Sequence, residues 1–183
     1  MDAPEPPADF HLPEGDLWIF GYGSLMWRPG FGHVEHQRAV LRGRHRRLCV
    51  WSWYHRGFQH APGLVMGLDA GGSCVGSAYR VHSDQAPEAF AYLVAREMVT
   101  PVYVPTHIRL DLADGRRVNA VTFTVDRAHP QYAGKLHPDT AIETVRRASG
   151  HSGHNTDYIR ETVAQLKRMG VRDRFLEEVA AAI

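Results

Sequence analysis

Two cysteines in 183 residues are too few for a disulfide framework. Cys49 and Cys74 each stand beside a valine in a strand-like run, as buried free thiols do, which points to a reducing cytoplasm. Charge of one sign is not in excess either. With 21 Lys and Arg against 20 Asp and Glu the formal net charge is +1, so nothing global suggests nucleic acid or an anionic membrane as a partner. No apolar run is long enough for a membrane-spanning helix. The start of the chain is acidic and proline-rich, the composition of neither a secretory signal nor a transit peptide. Several catalytic signatures are missing too. Gly21-Tyr22-Gly23 lacks the third glycine and the downstream acid of a dinucleotide fingerprint, and the lysine of a phosphate-binding loop. Ser24 stands in Gly-Tyr-Gly-Ser-Leu, without the glycine that follows a hydrolase nucleophile. Neither cysteine has an obvious base beside it. Twelve histidines include the pairs His33-x-x-His36 and His151-x-x-His154, but both fall in loops without the spacing of a helical zinc site. They read as surface residues, and no metal is expected.

What remains is enough chain for one domain with a sizeable core, read as residues 17–183. Residues 1–16, with Pro4, Pro6, Pro7 and Pro13, read as a mobile arm. Strands are expected at Leu17–Tyr22 and Arg38–Trp53, the second with the basic run Arg42, Arg44, Arg46 and Arg47 on a solvated face. Leu64–Leu68 and Cys74–Val81 read as two strands joined around Gly71-Gly72. A helix follows, started near Ser83 or Asp84 with Pro87 in its first turn. Alternation at Ile108, Leu110 and Leu112 and at Val121, Phe123 and Val125, around Asp114-Gly115, is a hairpin signal. Thr140-x-x-Glu143 has the form of a capping box, and Asn155 is placed to cap the next helix, which ends at Gly170. A last short helix carries Phe175, Leu176 and Val179. Strands, helix, hairpin and terminal helices make an α+β protein whose mixed or mainly antiparallel sheet can curl into a barrel.

Two features carry chemistry. A strand entering Gly21-Tyr22-Gly23-Ser24 leaves several backbone N–H groups at its edge with little side-chain cover, a cradle for a carboxylate or an oxyanion. In the expected helix, Phe90, Leu93 and Val94 form a stripe at i, i+3 and i+4, and the i+7 member is Glu97. A carboxylate aimed inward, with its pKa raised, suits a general base near neutral pH.

With these residues the sequence resembles the ChaC-like, glutathione-specific γ-glutamylcyclotransferases, over about residues 17–170. The likeness rests on Phe-Gly-Tyr-Gly-Ser-Leu-Met-Trp-Arg-Pro-Gly-Phe at 20–31, Gly-x-Ala-Tyr-Arg at 76–80, Tyr-Leu-x-x-Arg-Glu-Met at 92–98 and Ala-Ser-Gly-x-Ser-Gly-x-Asn-Thr-x-Tyr at 148–158. The resemblance implies a γ-glutamylcyclotransferase-like fold, a small mixed β-barrel with flanking helices. It implies a reaction without cofactor in which glutathione becomes 5-oxoproline and cysteinylglycine. Glu97 matches the catalytic glutamate. The implied substrate-binding residues are Ile19, Phe20, Gly21, Tyr22, Gly23, Ser24 and Leu25, together with Tyr158. One departure is Thr100-Pro101, where many relatives carry glycines. The alternatives are a cyclotransferase for other γ-glutamyl amines or dipeptides, and a non-catalytic module that binds γ-glutamyl ligands and has no need of a base at Glu97.

Overall fold

The computed structural model describes residues 5–183. Five strands close into a barrel in the order β1-β3-β2-β4-β5. They are β1 (Leu17–Gly21), β2 (Glu35–Ser52), β3 (Gly63–Val81), β4 (Tyr103–Leu112) and β5 (Arg117–Val125). β1 lies antiparallel to β3, from Leu17 opposite Val81 to Gly21 opposite Ser77. It closes the barrel by a parallel pairing with β5 at Ile19 and Val121. β4 and β5 form the hairpin expected from their alternation, in register from Tyr103–Val125 to Asp111–Arg117. The α+β barrel is therefore the architecture that the order of elements suggested.

The chain forms two compact units: one takes in the chain up to Arg46 and Leu68–Asp126, the other Arg47–Gly67 and Arg127–Ile183. In the first unit the core is built where helix α1 (Ala86–Glu97) covers one face of the sheet. Leu17 and Ile19 of β1, Val81 of β3 and Val121 and Phe123 of β5 meet Phe90, Leu93 and Val94 of α1. Removing a side chain such as Leu93 from this layer costs about 2–5 kcal/mol. Phe10 and Leu12 pack against the same layer. The Phe10 ring stacks on Phe90 at 5.2 Å and on His107 at 4.5 Å between centroids. The first four residues of the arm read from the sequence lie outside the described residues.

The second unit carries α2 (Pro138–Arg147), α3 (Asn155–Arg168) and α4 (Arg174–Ala181). Between α2 and α3 the small-residue stretch pairs with itself as β6 (Ser149–Gly150) and β7 (Gly153–His154). No helix among the described residues is long and apolar enough to cross a membrane.

Four local expectations need correction. Gly71 and Gly72 do not end a strand: with φ of +93° and +71° they bend β3, which continues to Val81. The imidazole of His45 reaches the Gly71 carbonyl at 2.8 Å, so the bend is held from β2. Helix α1 is entered through a 3-10 turn, Ser83–Gln85, and begins at Ala86. Thr140 and Glu143 do not form a capping box. His137 caps α2 by accepting the Asp139 N–H, and Glu143 pairs with Arg147 one turn on. Asn155 is the first residue of α3 and not its cap; its amide is spent elsewhere.

Candidate active site

Strand β1 delivers the chain to Gly21, where a side chain has no room: a Cβ there would lie 2.8 Å from that of Leu25. The next residues fold back at once into a 3-10 turn, Ser24–Met26. Inside it the N–H groups of Met26, Trp27 and Arg28 go to the carbonyls of Gly23, Ser24 and Ser24. None of these internal bonds uses the N–H of Gly23, Ser24 or Leu25. Backbone N–H groups of this kind are able to receive a carboxylate or an oxyanion.

Long side chains fix the turn from outside. Tyr22 is buried, and its hydroxyl donates to the Phe123 carbonyl at 2.8 Å. The Tyr79 hydroxyl lies 2.9 Å from the Leu25 carbonyl and 3.0 Å from that of Met26. Arg46 donates to the Tyr22 carbonyl and to the Val75 carbonyl, both at 2.6 Å. This arginine is partly buried, so the basic run of β2 is not a uniformly solvated face. Arg96, near the end of α1, donates to the Ser24 hydroxyl at 2.8 Å and to the Arg28 carbonyl at 2.7 Å.

Glu97 closes α1 beside it. The Met98 N–H bonds back to Val94, so the helix ends there. The Glu97 side chain keeps 20% of its exposure, and its carboxylate lies 3.3 Å from Nε of Arg96. Burial pushes the carboxyl above the usual glutamate range, while the Arg96 charge pulls the other way. A shared guanidinium thus links the Glu97 carboxylate to the serine of the glycine turn.

The remaining sequence-expected residues fall as follows. Ile19 and Phe20 are fully buried, Ile19 in the layer against α1. The Phe20 carbonyl accepts the Thr122 hydroxyl at 2.9 Å. A ligand would meet their main chain and not their side chains. Tyr158 belongs to the second unit, on α3, where its hydroxyl accepts the Met66 N–H at 3.1 Å. Asn155 one turn earlier accepts the Leu64 N–H at 2.7 Å and donates to the Leu64 carbonyl at 2.8 Å. Of the two histidine pairs, His33, His36 and His151 serve as ring partners. His36 stacks on Tyr79 with centroids 4.6 Å apart, and His151 packs on Tyr54 at 4.4 Å. Burial, and then the nearby His33, holds His36 below its ordinary value. Among the described residues no three His, Cys, Asp or Glu side chains cluster so as to hold a metal ion. Arg46, Tyr79 and Arg96 went unassigned in the sequence. Tyr79 and Arg96 sit inside the runs at 76–80 and 92–98, which is the signal that marked them.

The closed mixed barrel with its helices is shared with solved γ-glutamyl cyclotransferases. The crystal structure of a γ-glutamyl cyclotransferase specific to glutathione from yeast superposes with a TM-score of 0.83, at 18% identity, over 92% of this chain and 96% of that one. The sequence profile of the ChaC-like proteins matches residues 17–183, and the chain belongs to that family. The glutathione-specific γ-glutamylcyclotransferase of Escherichia coli is 37% identical over 170 residues, covering 93% of this chain and 74% of the relative. The human glutathione-specific γ-glutamylcyclotransferase 1 is 36% identical over 165 residues, covering 86% of this chain and 74% of the relative.

Proposed function

We propose that this chain is a glutathione-specific γ-glutamylcyclotransferase, working in the cytoplasm without a cofactor, with Glu97 as its general acid and base. The observation that carries the reading is the Glu97 carboxylate, largely withdrawn from solvent at the end of α1 and tied through Arg96 to Ser24 of the glycine turn. Family membership and the names of the relatives supply the substrate.

The chemistry is intramolecular. The α-amine of the γ-glutamyl group attacks its own γ-carbonyl carbon and closes a five-membered ring. Holding the chain folded for that attack supplies a large part of the rate, up to about 10 kcal/mol in ideal cases. Glu97 takes the amine proton. The N–H groups of Gly23, Ser24 and Leu25 meet the oxyanion as it forms. The amide C–N bond then breaks, the protonated Glu97 returns its proton to the leaving cysteine nitrogen, and 5-oxoproline and cysteinylglycine part. Hydrolysis would need an activated water instead, so the withdrawal of Glu97 from solvent favours cyclisation. Ile19 and Phe20 through their main chain and Gly21–Leu25 complete the proposed substrate set of the first unit; Tyr158 of the second unit is proposed as a substrate residue on the family resemblance alone.

The test is incubation with glutathione and a panel of other γ-glutamyl compounds, with detection of 5-oxoproline. Glutathione should be consumed in preference to the others. Glu97→Gln should lower turnover by roughly two to four orders of magnitude while glutathione still binds. The wild-type rate should fall with acid as Glu97 protonates, at a higher pH than an ordinary glutamate would give. A protein that binds glutathione and never forms 5-oxoproline is a binding module, and the reading fails.

A further inference from the structure

Arg96 makes more polar contacts at this site than its place near a helix end requires. One terminal nitrogen donates to the Ser24 hydroxyl at 2.8 Å. The other donates to the Arg28 carbonyl at 2.7 Å, and lies 3.2 Å from both the Pro29 carbonyl and the Tyr92 hydroxyl. The third nitrogen, Nε, faces the Glu97 carboxylate at 3.3 Å. The side chain is only 16% exposed: its bonds to Ser24 and Pro29 are partly buried, where each is worth more than at the surface, and those to Arg28 and Tyr92 lie toward solvent. A cation in the last turn of a helix is favourable by itself, but any flexible lysine would serve that purpose. A planar guanidinium with all three nitrogens engaged on two separate chain segments is a geometric device.

We infer that Arg96 is a positioning residue for the cyclisation, a single rigid fork that fixes the Glu97 carboxylate relative to the glycine turn. The inference rests on the reading of Glu97 as the base. Through its fork Arg96 sets where the proton acceptor stands against the donors that hold the γ-glutamyl group. Its charge favours the ionised carboxylate and so offsets part of the cost of burial. The turn contributes the Ser24 hydroxyl and the Arg28 and Pro29 carbonyls to this fork, none of which titrates near neutral pH. Among the described residues no other charged side chain acts on Glu97, whether from the turn, from β4 or from β5.

Two variants separate charge from geometry. The protonation of Glu97 is read directly by ¹³C titration of its carboxyl, assigned by its disappearance in Glu97→Gln, beside pH profiles of kcat and kcat/KM. In Arg96→Met the titration should move up by about one pH unit or more, and the acid limb of kcat/KM should move with it. In Arg96→Lys the charge stays and the fork is lost. The titration should move little, while kcat falls at least about tenfold, because one ammonium cannot engage Ser24, Arg28 and Glu97 together. A folded Arg96→Met protein whose Glu97 titrates as in the wild type would overturn the inference, as would an Arg96→Lys protein with wild-type kcat. If Arg96→Met does not fold, kcat of Arg96→Lys decides. Failure of the underlying reading looks different: Glu97→Gln would then turn over at the wild-type rate, and the inference would fall with its catalytic premise, whatever the titration showed.

Discussion

Two irregular segments of this molecule are fixed by opposite means. In the first unit the turn after β1 is held by long side chains that reach in from elsewhere and bond its carbonyls: Tyr79, Arg46 and Arg96. In the second unit the stretch between β2 and β3 and the β6–β7 turn are held by backbone lying on backbone. A Cβ on Gly150 would lie 2.5 Å from the Gly57 nitrogen, 2.6 Å from the Tyr54 carbonyl oxygen and 2.7 Å from that of His55. A Cβ on Gly57 would lie 2.7 Å from the Ser52 carbonyl oxygen. The His151 and Ser152 N–H groups bond to those same Tyr54 and His55 carbonyls, at 3.0 and 2.8 Å. Side-chain ties can be cut one at a time, and each leaves the others standing. Close backbone contact admits no intermediate: an atom either fits or displaces the chain.

The sharpest way to break the comparison is therefore Gly150→Ala. The added methyl meets backbone on three sides and nothing flexible, so the loss should be about 4 kcal/mol or more, or failure to fold. Urea unfolding or a melting curve measures it. A loss under about 1 kcal/mol, within the range of an ordinary surface change, would show that the second unit relaxes as readily as the first.

Tyr79→Phe is the matched cut in the first unit. It removes one hydroxyl that serves two carbonyls and leaves the ring packed against His36, so the cost should be about 1–2 kcal/mol. The protein should stay folded, and the turn should loosen enough to raise KM for glutathione. A loss as large as that of Gly150→Ala would erase the distinction between the two units.

The smallest expected effect sharpens the picture within the first unit and concerns Glu97 and stability. Its carboxyl is raised in the folded state by burial, so the stability it lends is present below the unfolded pKa and lost as pH rises through the folded one. Glu97→Gln should melt like the wild type in acid and slightly above it at neutral pH. The same melting temperatures at every pH would mean that the carboxylate is not held against its preference.

How much of this was legible beforehand follows from the kind of contact involved. The β4–β5 hairpin and the stripe on α1 were readable because period and turn chemistry are local properties of the sequence. Glu97 was readable for the same reason, as the i+7 member of that stripe. Asn155 was not. Its residue type suits a cap, but the amide is used on both polar groups of Leu64, 91 residues away, and no local pattern records that. Arg46 was read with its basic neighbours because charge patterning alone does not tell a solvated arginine from one that bonds two carbonyls. The contacts of Phe10 and Leu12 leave no trace either, since two isolated apolar residues among prolines make no period.

The parallel seam between β1 and β5 has a consequence for the order of events in folding. Ile19 pairs with Val121, the Thr122 hydroxyl bonds the Phe20 carbonyl, and the Tyr22 hydroxyl bonds the Phe123 carbonyl. Each tie spans about a hundred residues, so its closure entropy is spent before any reward arrives. A ribosome emits the glycine turn early, yet the carbonyl that anchors Tyr22 follows only 101 residues later. At about 5–20 residues per second that is a wait of roughly 5 to 20 seconds. A nascent chain stalled before Phe123 therefore carries the sequence of the turn without its anchor.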